Sequence, residues 1–303
     1  MNVLEVQSVT KRFSALLAVD RLSFSIQEGR VFGLLGPNGA GKTTTIRMIM
    51  HIIIPDEGKV SVLEKTDPVE TTNLIGYLPE ERGLYRKMKV GDILFFLCSL
   101  KGLSRSDARP RIDSWLERLD LLDWKNKKLE ELSKGMQQKL LFIGTVIHDP
   151  KLLILDEPFM GLDPVNTQII KDILLEQKKR GTSIIFSTHL MDNAEKLCDD
   201  ILLINHGRDV LSGKLSEVKN RFGRKNIIME FDGDDAFLQK IPGIIRVNHY
   251  GRASEIVMDK SADPQQILKA AAKNVAVRKF EIKEPSLNDI FIETMKSRKD
   301  KTA

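Results

Sequence analysis

The sequence predicts an α/β protein with a parallel-sheet core, a helical insertion in that core, and a small separate α+β domain after it. Three observations carry this. The apolar run "VFGLL" (residues 31–35) leads directly into a glycine-rich turn and then a helical pattern. Strand-then-helix alternation returns after Lys151, in "LLIL", "VNTQIIKDILLEQKKRG", "SIIFST" and "ILLIN". Between the two stretches, residues 91–149 place apolar side chains three and four apart, as in "ILFFLCSL" and "IDSWLERLDLL". Alternating strands and helices build parallel sheets, and three-to-four spacing marks helices with one buried face.

Taken in order, residues 3–61 are rich in short β-like runs. "LSFSI" (residues 22–26) alternates apolar and polar residues, the period of a half-buried strand. The helical insertion and the returning α/β core follow. Residues 226–295 read differently: "IIMEF", "AFLQKI", "GIIRVNHY", "EIVM", "PQQILKAAAKN" and "VAVRKFEI" predict the order βαββαβ, with a short closing helix "SLNDIFIETM". This is a ferredoxin-like arrangement. The boundary is expected between residues 1–221 and 222–303, and the polar end "KSRKDKTA" is expected to fray.

Composition limits what the motifs can belong to. The chain has 303 residues, enough for one large or two ordinary domains, with 42% hydrophobic and 29% charged residues, as in globular proteins. No apolar run approaches the roughly 18 residues of a membrane helix. "MIMHIII" (residues 48–54) is the nearest, and His51 interrupts it. The chain is therefore expected not to cross a bilayer alone, and its first residues lack the pattern of a secretory signal. Cys98 and Cys198 stand far apart without metal-like spacing, as expected of buried thiols in a reducing compartment. A net charge of +5, widely dispersed, does not require nucleic acid.

The glycine-rich turn carries the first chemistry. "GPNGAGKT" comprises Gly36, Pro37, Asn38, Gly39, Ala40, Gly41, Lys42 and Thr43, with Thr44 next, and fits G-x-x-x-x-G-K-[ST] between a strand and a helix. Glycines let backbone N–H groups turn inward around an anion, and the helix N-terminus adds a favourable dipole. Lys42 can reach the β- and γ-phosphates of a nucleotide, and the Thr43 hydroxyl can serve Mg²⁺. The competing reading is an ordinary glycine-rich turn.

A phosphate site also needs a carboxylate at the end of a buried strand. "KLLILDEP" supplies Asp156, placed to hold Mg²⁺ through its water shell, and then Glu157. A carboxylate beyond the metal ligand can orient or deprotonate an attacking water, which points to hydrolysis rather than binding alone. Without the preceding turn, two acids here would read as a helix cap.

With these residues in place, the stretch 1–221 resembles the ATP-binding subunit of ATP-binding-cassette (ABC) transporters. "LSKGMQQK" (residues 132–139) resembles the LSGGQ signature, "GLDP" (residues 161–164) the D-loop, and "STHL" (residues 187–190) the histidine switch. The resemblance implies a P-loop NTPase cassette with a RecA-like parallel core, an N-terminal antiparallel β region and a helical subdomain. It also implies two such subunits packed head to tail, each ATP lying between one P-loop and the other subunit's signature helix. Ser133 and the Gly135 N–H would then face the partner's γ-phosphate. His189 would contact the γ-phosphate in its own subunit and help position water and Glu157, and Asp163 would couple the two sites. Phe13 matches the aromatic that stacks on adenine, against the alternative of a core phenylalanine.

The chain departs from the family pattern in three places. Glu80 stands where the Q-loop glutamine follows "IGYLP"; it can still approach Mg²⁺ or its water but loses the amide's donors. Lys134 and Met136 replace a glycine and a glutamine of the signature. The serine hydroxyl and backbone N–H groups carry that chemistry, and Lys134 is expected to face solvent or to add positive charge near phosphate.

The resemblance thus implies an ATPase using ATP and Mg²⁺, sited on the inner face of the cell membrane and driving a membrane-spanning permease, with export preferred because the C-terminal domain resembles those of drug- or ion-export subunits. "EERGLYRKMKV" (residues 80–90) is the expected contact strip, or else a solvated loop. Two other readings are weaker. A soluble ABC-type ATPase acting on ribosomes or DNA would be expected to carry tandem cassettes, and a non-catalytic nucleotide-gated module would not need Glu157 and His189.

Overall fold

The computed structural model describes residues 1–66, 71–80, 83, 85–222, 226–259, 262–283 and 285–299, and the structural statements below are made of these residues. They divide into two compact units, Met1–Lys214 and Leu215–Ala303. The division falls before residue 221, where the sequence reading placed it.

The first unit opens with β1 (Asn2–Phe13) and β2 (Leu16–Gln27), an antiparallel hairpin. β3 (Val31–Leu35) follows with every residue buried, as suits a strand covered on both faces. α1 (Lys42–Ile49) begins at the end of the glycine-rich turn. β4 (Glu57–Val62) pairs antiparallel with β1, giving a three-stranded sheet in the order β2-β1-β4. After β5 (Ile75–Leu78) come α2 (Val90–Leu100), α3 (Arg105–Arg118) and α4 (Lys134–Val146), which occupy the predicted helical span. β6 (Leu152–Asp156), α5 (Pro164–Lys179), β7 (Ser183–Thr188), α6 (Met191–Leu197), β8 (Asp200–Asn205) and β9 (Arg208–Lys214) complete the unit.

Among the described residues, six strands form the central sheet in the order β5-β6-β7-β3-β8-β9. The first five are mutually parallel, whereas β9 runs antiparallel to β8. The expected parallel core therefore carries one antiparallel edge, because the tight turn at His206 and Gly207 can join only antiparallel neighbours. The register aligns Leu78 with Leu155, Asp156 with Ser187, and Leu35 with Thr188. The carboxyl ends of β5, β6, β7 and β3 thus share one edge of the sheet, where open α/β folds place their ligands. Leu4, Val6, Ile26, Leu34, Ile46, Ile154 and Ile185 join both sheets and α1 in one buried core.

The second unit runs α7 (Leu215–Phe222), β10 (Asn226–Asp232), β11 (Ile244–Tyr250), β12 (Ala253–Met258), α8 (Pro264–Asn274), β13 (Ala276–Lys283) and α9 (Leu287–Lys299). Its four strands pair antiparallel in the order β11-β12-β10-β13 over a core of Ile227, Met229, Ile256 and Ile267. The order is that of a split βαβ sheet, but the first expected helix is only a 3-10 turn, Leu238–Lys240. "AFLQKI" lies between the acidic "DGDD" and Pro242-Gly243, which leaves room for a single turn. The closing helix is longer than expected and continues to Lys299. Residues 300–303 of the expected frayed end lie outside the described residues.

Candidate functional site

The glycine-rich turn folds tightly against its own scaffold. A Cβ on Gly36 (φ +151°) would meet the Ile204 carbonyl at 2.2 Å, and one on Gly41 (φ +105°) the Ala18 carbonyl at 2.5 Å. Only glycine fits either place. Behind the loop, the Gly207 N–H donates to the Ala40 carbonyl (2.9 Å), the Asp20 N–H donates to the Gly207 carbonyl (2.9 Å), and Arg208 pairs with Asp20 (2.6 Å). Sequence reading missed this brace, which ties residues far apart in the chain. Inside the loop, the buried Lys42 ammonium donates to the carbonyls of Gly36 (2.9 Å) and Pro37 (3.1 Å). Burial pushes its pKa down, against the opposing pull of Glu157, Asp156 and Glu80.

β6 delivers the two acids to the same edge. Asp156 is buried; one carboxylate oxygen accepts from the Ser187 hydroxyl, and the other, Oδ2, has no hydrogen-bond partner. Burial raises its pKa, the Ser187 hydroxyl opposes this, and the carboxylates of Glu80 and Glu157 add to it. A buried oxygen without a donor fits a bound cation or a water of its shell, so the residues suit Mg²⁺. Ser187 also accepts the Glu157 N–H (3.0 Å), holding Glu157 at φ +48°, uncommon for a residue other than glycine. The Glu157 carboxylate lies 2.9 Å from His189 Nδ1, accepts the His189 backbone N–H (3.1 Å) and is 3.8 Å from the Lys42 ammonium. β5 brings up a third acid, Glu80, whose Oε2 accepts from the Thr43 hydroxyl at 3.3 Å.

A cleft of about 450 Å³ gathers Phe13, Asn38, Gly39, Gly41, Lys42, Thr43, Thr44, Glu80 and Glu157, together with Leu16, Leu17, Ala18, His206 and Gly207. Phe13 is 42% exposed at this cleft and so is not a core residue. His206 and Gly207 went unread because their turn carries no motif. Ser133, Gly135 and Asp163 do not line the cleft. Ser133 is exposed and caps α4, accepting the Met136 N–H (3.2 Å), while a Cβ on Gly135 would meet nothing nearer than the Gly161 carbonyl at 3.5 Å. Asp163 caps α5, and the Asn166 N–H (2.8 Å) holds its carboxyl below the usual range. Lys134, at the start of α4, is exposed. Gln138 on α4 donates to the Pro158 carbonyl (3.2 Å), joining the signature helix to the residue after Glu157. In the contact strip, Tyr85 is exposed and packs edge-on against Phe96 on α2, with ring centres 6.3 Å apart; Glu81, Arg82 and Leu84 lie outside the described residues.

A family described as "ABC transporter" matches residues 19–160, and one described as "ATP-binding protein DrrA1-3-like, C-terminal domain" matches residues 213–295. The chain is 46% identical to the uncharacterized ABC transporter ATP-binding protein YhaQ of Bacillus subtilis, over 96% of this chain and 98% of that one. It is 33% identical to Nod factor export ATP-binding protein I of a Rhizobium species, over 95% of each. With the linearmycin resistance ATP-binding protein LnrL of Bacillus subtilis the identity is 31%, over 96% of this chain and 97% of the other. Among solved structures, an ATP-binding subunit of an ABC transporter superposes with a TM-score of 0.69 at 30% identity, covering 73% of this chain and 93% of that one. The cbiO1 subunit from Clostridium perfringens, part of a cbiONQ transporter complex, gives 0.62 at 28% identity, covering 73% and 94%.

Proposed function

We propose, from the premise that this chain belongs to the ATP-binding proteins of ABC transporters, that it hydrolyses ATP with Mg²⁺ to drive a membrane-spanning permease, in the direction of export. The observation that carries the hydrolytic part is the convergence of Lys42, Thr43, Asp156, Glu157 and His189 on one edge of the sheet. Lys42 binds phosphate by exchanging its Gly36 and Pro37 carbonyl partners for phosphate oxygens, so the loop opens as the nucleotide enters. Phe13, which lines the cleft and is exposed there, offers a face for adenine. Glu157 takes the proton of the attacking water, and His189 holds its carboxylate in place. Thr43, Asp156 and Glu80 would hold Mg²⁺, which when bound neutralises phosphate charge and orients the phosphates for in-line attack.

Ser133 and Gly135 serve a second copy of the chain. Both stand outside their own cleft, at the N-terminus of α4 where N–H groups favour an anion, and Ser133 is exposed. Head-to-tail pairing brings them to the partner's nucleotide, and the contact of Gln138 with Pro158 links that event to the Glu157 segment. The exposed Tyr85, Phe96 and Leu100 form the surface for the permease. No helix of the described residues is long and apolar enough to cross a membrane, so the chain is attached to the inner membrane face through that partner. The unit Leu215–Ala303 is an accessory domain. The export direction rests on relatives named for Nod factor export and linearmycin resistance. Purification of the chain from its native membrane tests the partner: a multi-span protein is expected to accompany it, and ribosomes or DNA in its place would contradict the reading.

A further inference from the structure

The Q-loop acid points to selection between two forms of the nucleotide. The parallel pairing of Leu78 with Leu155 sets the ends of β5 and β6 side by side, so Glu80 arrives beside Asp156 and Glu157. Glu80 and Glu157 both line the cleft, with Asp156 buried behind them. Among the described lining residues, Lys42 is the cation facing these acids. The Thr43 hydroxyl donates to Glu80. A neutral amide at this place, as the family pattern has it, would accept the same hydrogen bond without the charge.

We propose that Glu80 makes this cleft reject metal-free ATP and accept the magnesium complex, so that the divalent cation is required for nucleotide entry as well as for hydrolysis. The inference rests on the reading of the cleft as an ATP site. Free ATP carries about four negative charges at neutral pH and the magnesium complex about two. A third carboxylate lining the cleft repels the first more strongly than the second, because Coulomb repulsion grows with the charge it meets. With Mg²⁺ present, the same carboxylate would ligate the cation or accept a hydrogen bond from its water, and the repulsion would become attraction. The field of Glu80 already reaches both neighbours: it helps raise the pKa of Asp156 and opposes the fall in that of Lys42.

The test measures nucleotide affinity, not turnover. ATP is titrated calorimetrically into the full chain and into Glu80→Gln, once with a chelator and once with excess Mg²⁺. Glu80 is exposed and the substitution keeps its shape, so a melting curve of each protein suffices to establish folding. The ratio of the metal-free to the Mg²⁺ dissociation constant is expected to be about tenfold or more larger for the unmodified chain, with most of the difference in the metal-free arm. Equal ratios would overturn the role of Glu80 while leaving the ATP site in place. Failure of both folded proteins to bind the magnesium complex would overturn the site itself, and this inference with it.

Discussion

Glu157 and His189 meet twice: one carboxylate oxygen accepts the His189 backbone N–H at 3.1 Å and lies 2.9 Å from the ring nitrogen Nδ1. The backbone contact survives any change of side chain at 189, so it fixes the position of the acid. The ring contact sets its orientation toward the cleft. His189→Ala is therefore expected to lower turnover by about ten- to a hundredfold, the scale of a lost proton-transfer arrangement, with ATP affinity changed by less than about threefold. Steady-state rates paired with equilibrium binding separate the two. An affinity loss matching the rate loss would make His189 a binding residue only.

Ser187 joins the two acids through one hydroxyl, donating to Asp156 and accepting from the Glu157 N–H. Ser187→Ala leaves a buried N–H and a buried carboxylate oxygen without partners, at a cost of about 1–3 kcal/mol. Denaturant unfolding of the nucleotide-free chain should show that loss, and Mg²⁺-dependent nucleotide binding should weaken with it. An unchanged unfolding midpoint would mean that the bridge holds nothing together.

His148 gives the fold an acid sensitivity of its own. Burial first, then the nearby Lys101 charge, push its pKa from 6.5 down to about 4, while its ring contacts the Ile75 carbonyl at 3.2 Å. A histidine with a depressed folded pKa takes up a proton when the chain unfolds. Its contribution is thus fully present above pH 6.5 and is lost as pH falls toward 4. Allowing for partial exposure, the loss is on the order of 2 kcal/mol. His148→Gln, which keeps a donor for the carbonyl, should show a shallower decline of melting temperature over that range. Parallel declines in both proteins would contradict the assignment.

Much of this was legible in the sequence, for identifiable reasons. The fully buried strands β3 and β6 read as apolar runs and β7 shows the apolar centre Ile184–Phe186, and the glycine-rich turn announced itself because only a few residue types satisfy its backbone. β5 and β9 were not legible. β5 is four residues long and contains Gly76, and β9 is polar because it lies at a sheet edge. "AFLQKI" carried a helical pattern but lacked the length to form more than a turn. In the site, motif residues were visible, whereas the Asp20–Arg208 brace and the double role of Ser187 depend on pairings across the whole unit. No local pattern encodes those.

The central claim is that Glu157 works on water while Lys42 works on phosphate, and the isosteric substitution Glu157→Gln tests it most directly. The amide keeps the size and hydrogen bonding of the side chain but cannot take a proton. ATP should still bind, turnover should fall by roughly a hundredfold or more, and two chains should remain joined in the presence of ATP as seen by gel filtration with light scattering. Lys42→Ala, measured beside it, should lose binding instead. Hydrolysis by Glu157→Gln at the unmodified rate would contradict the account, because the residue placed to take the proton would then not be the base.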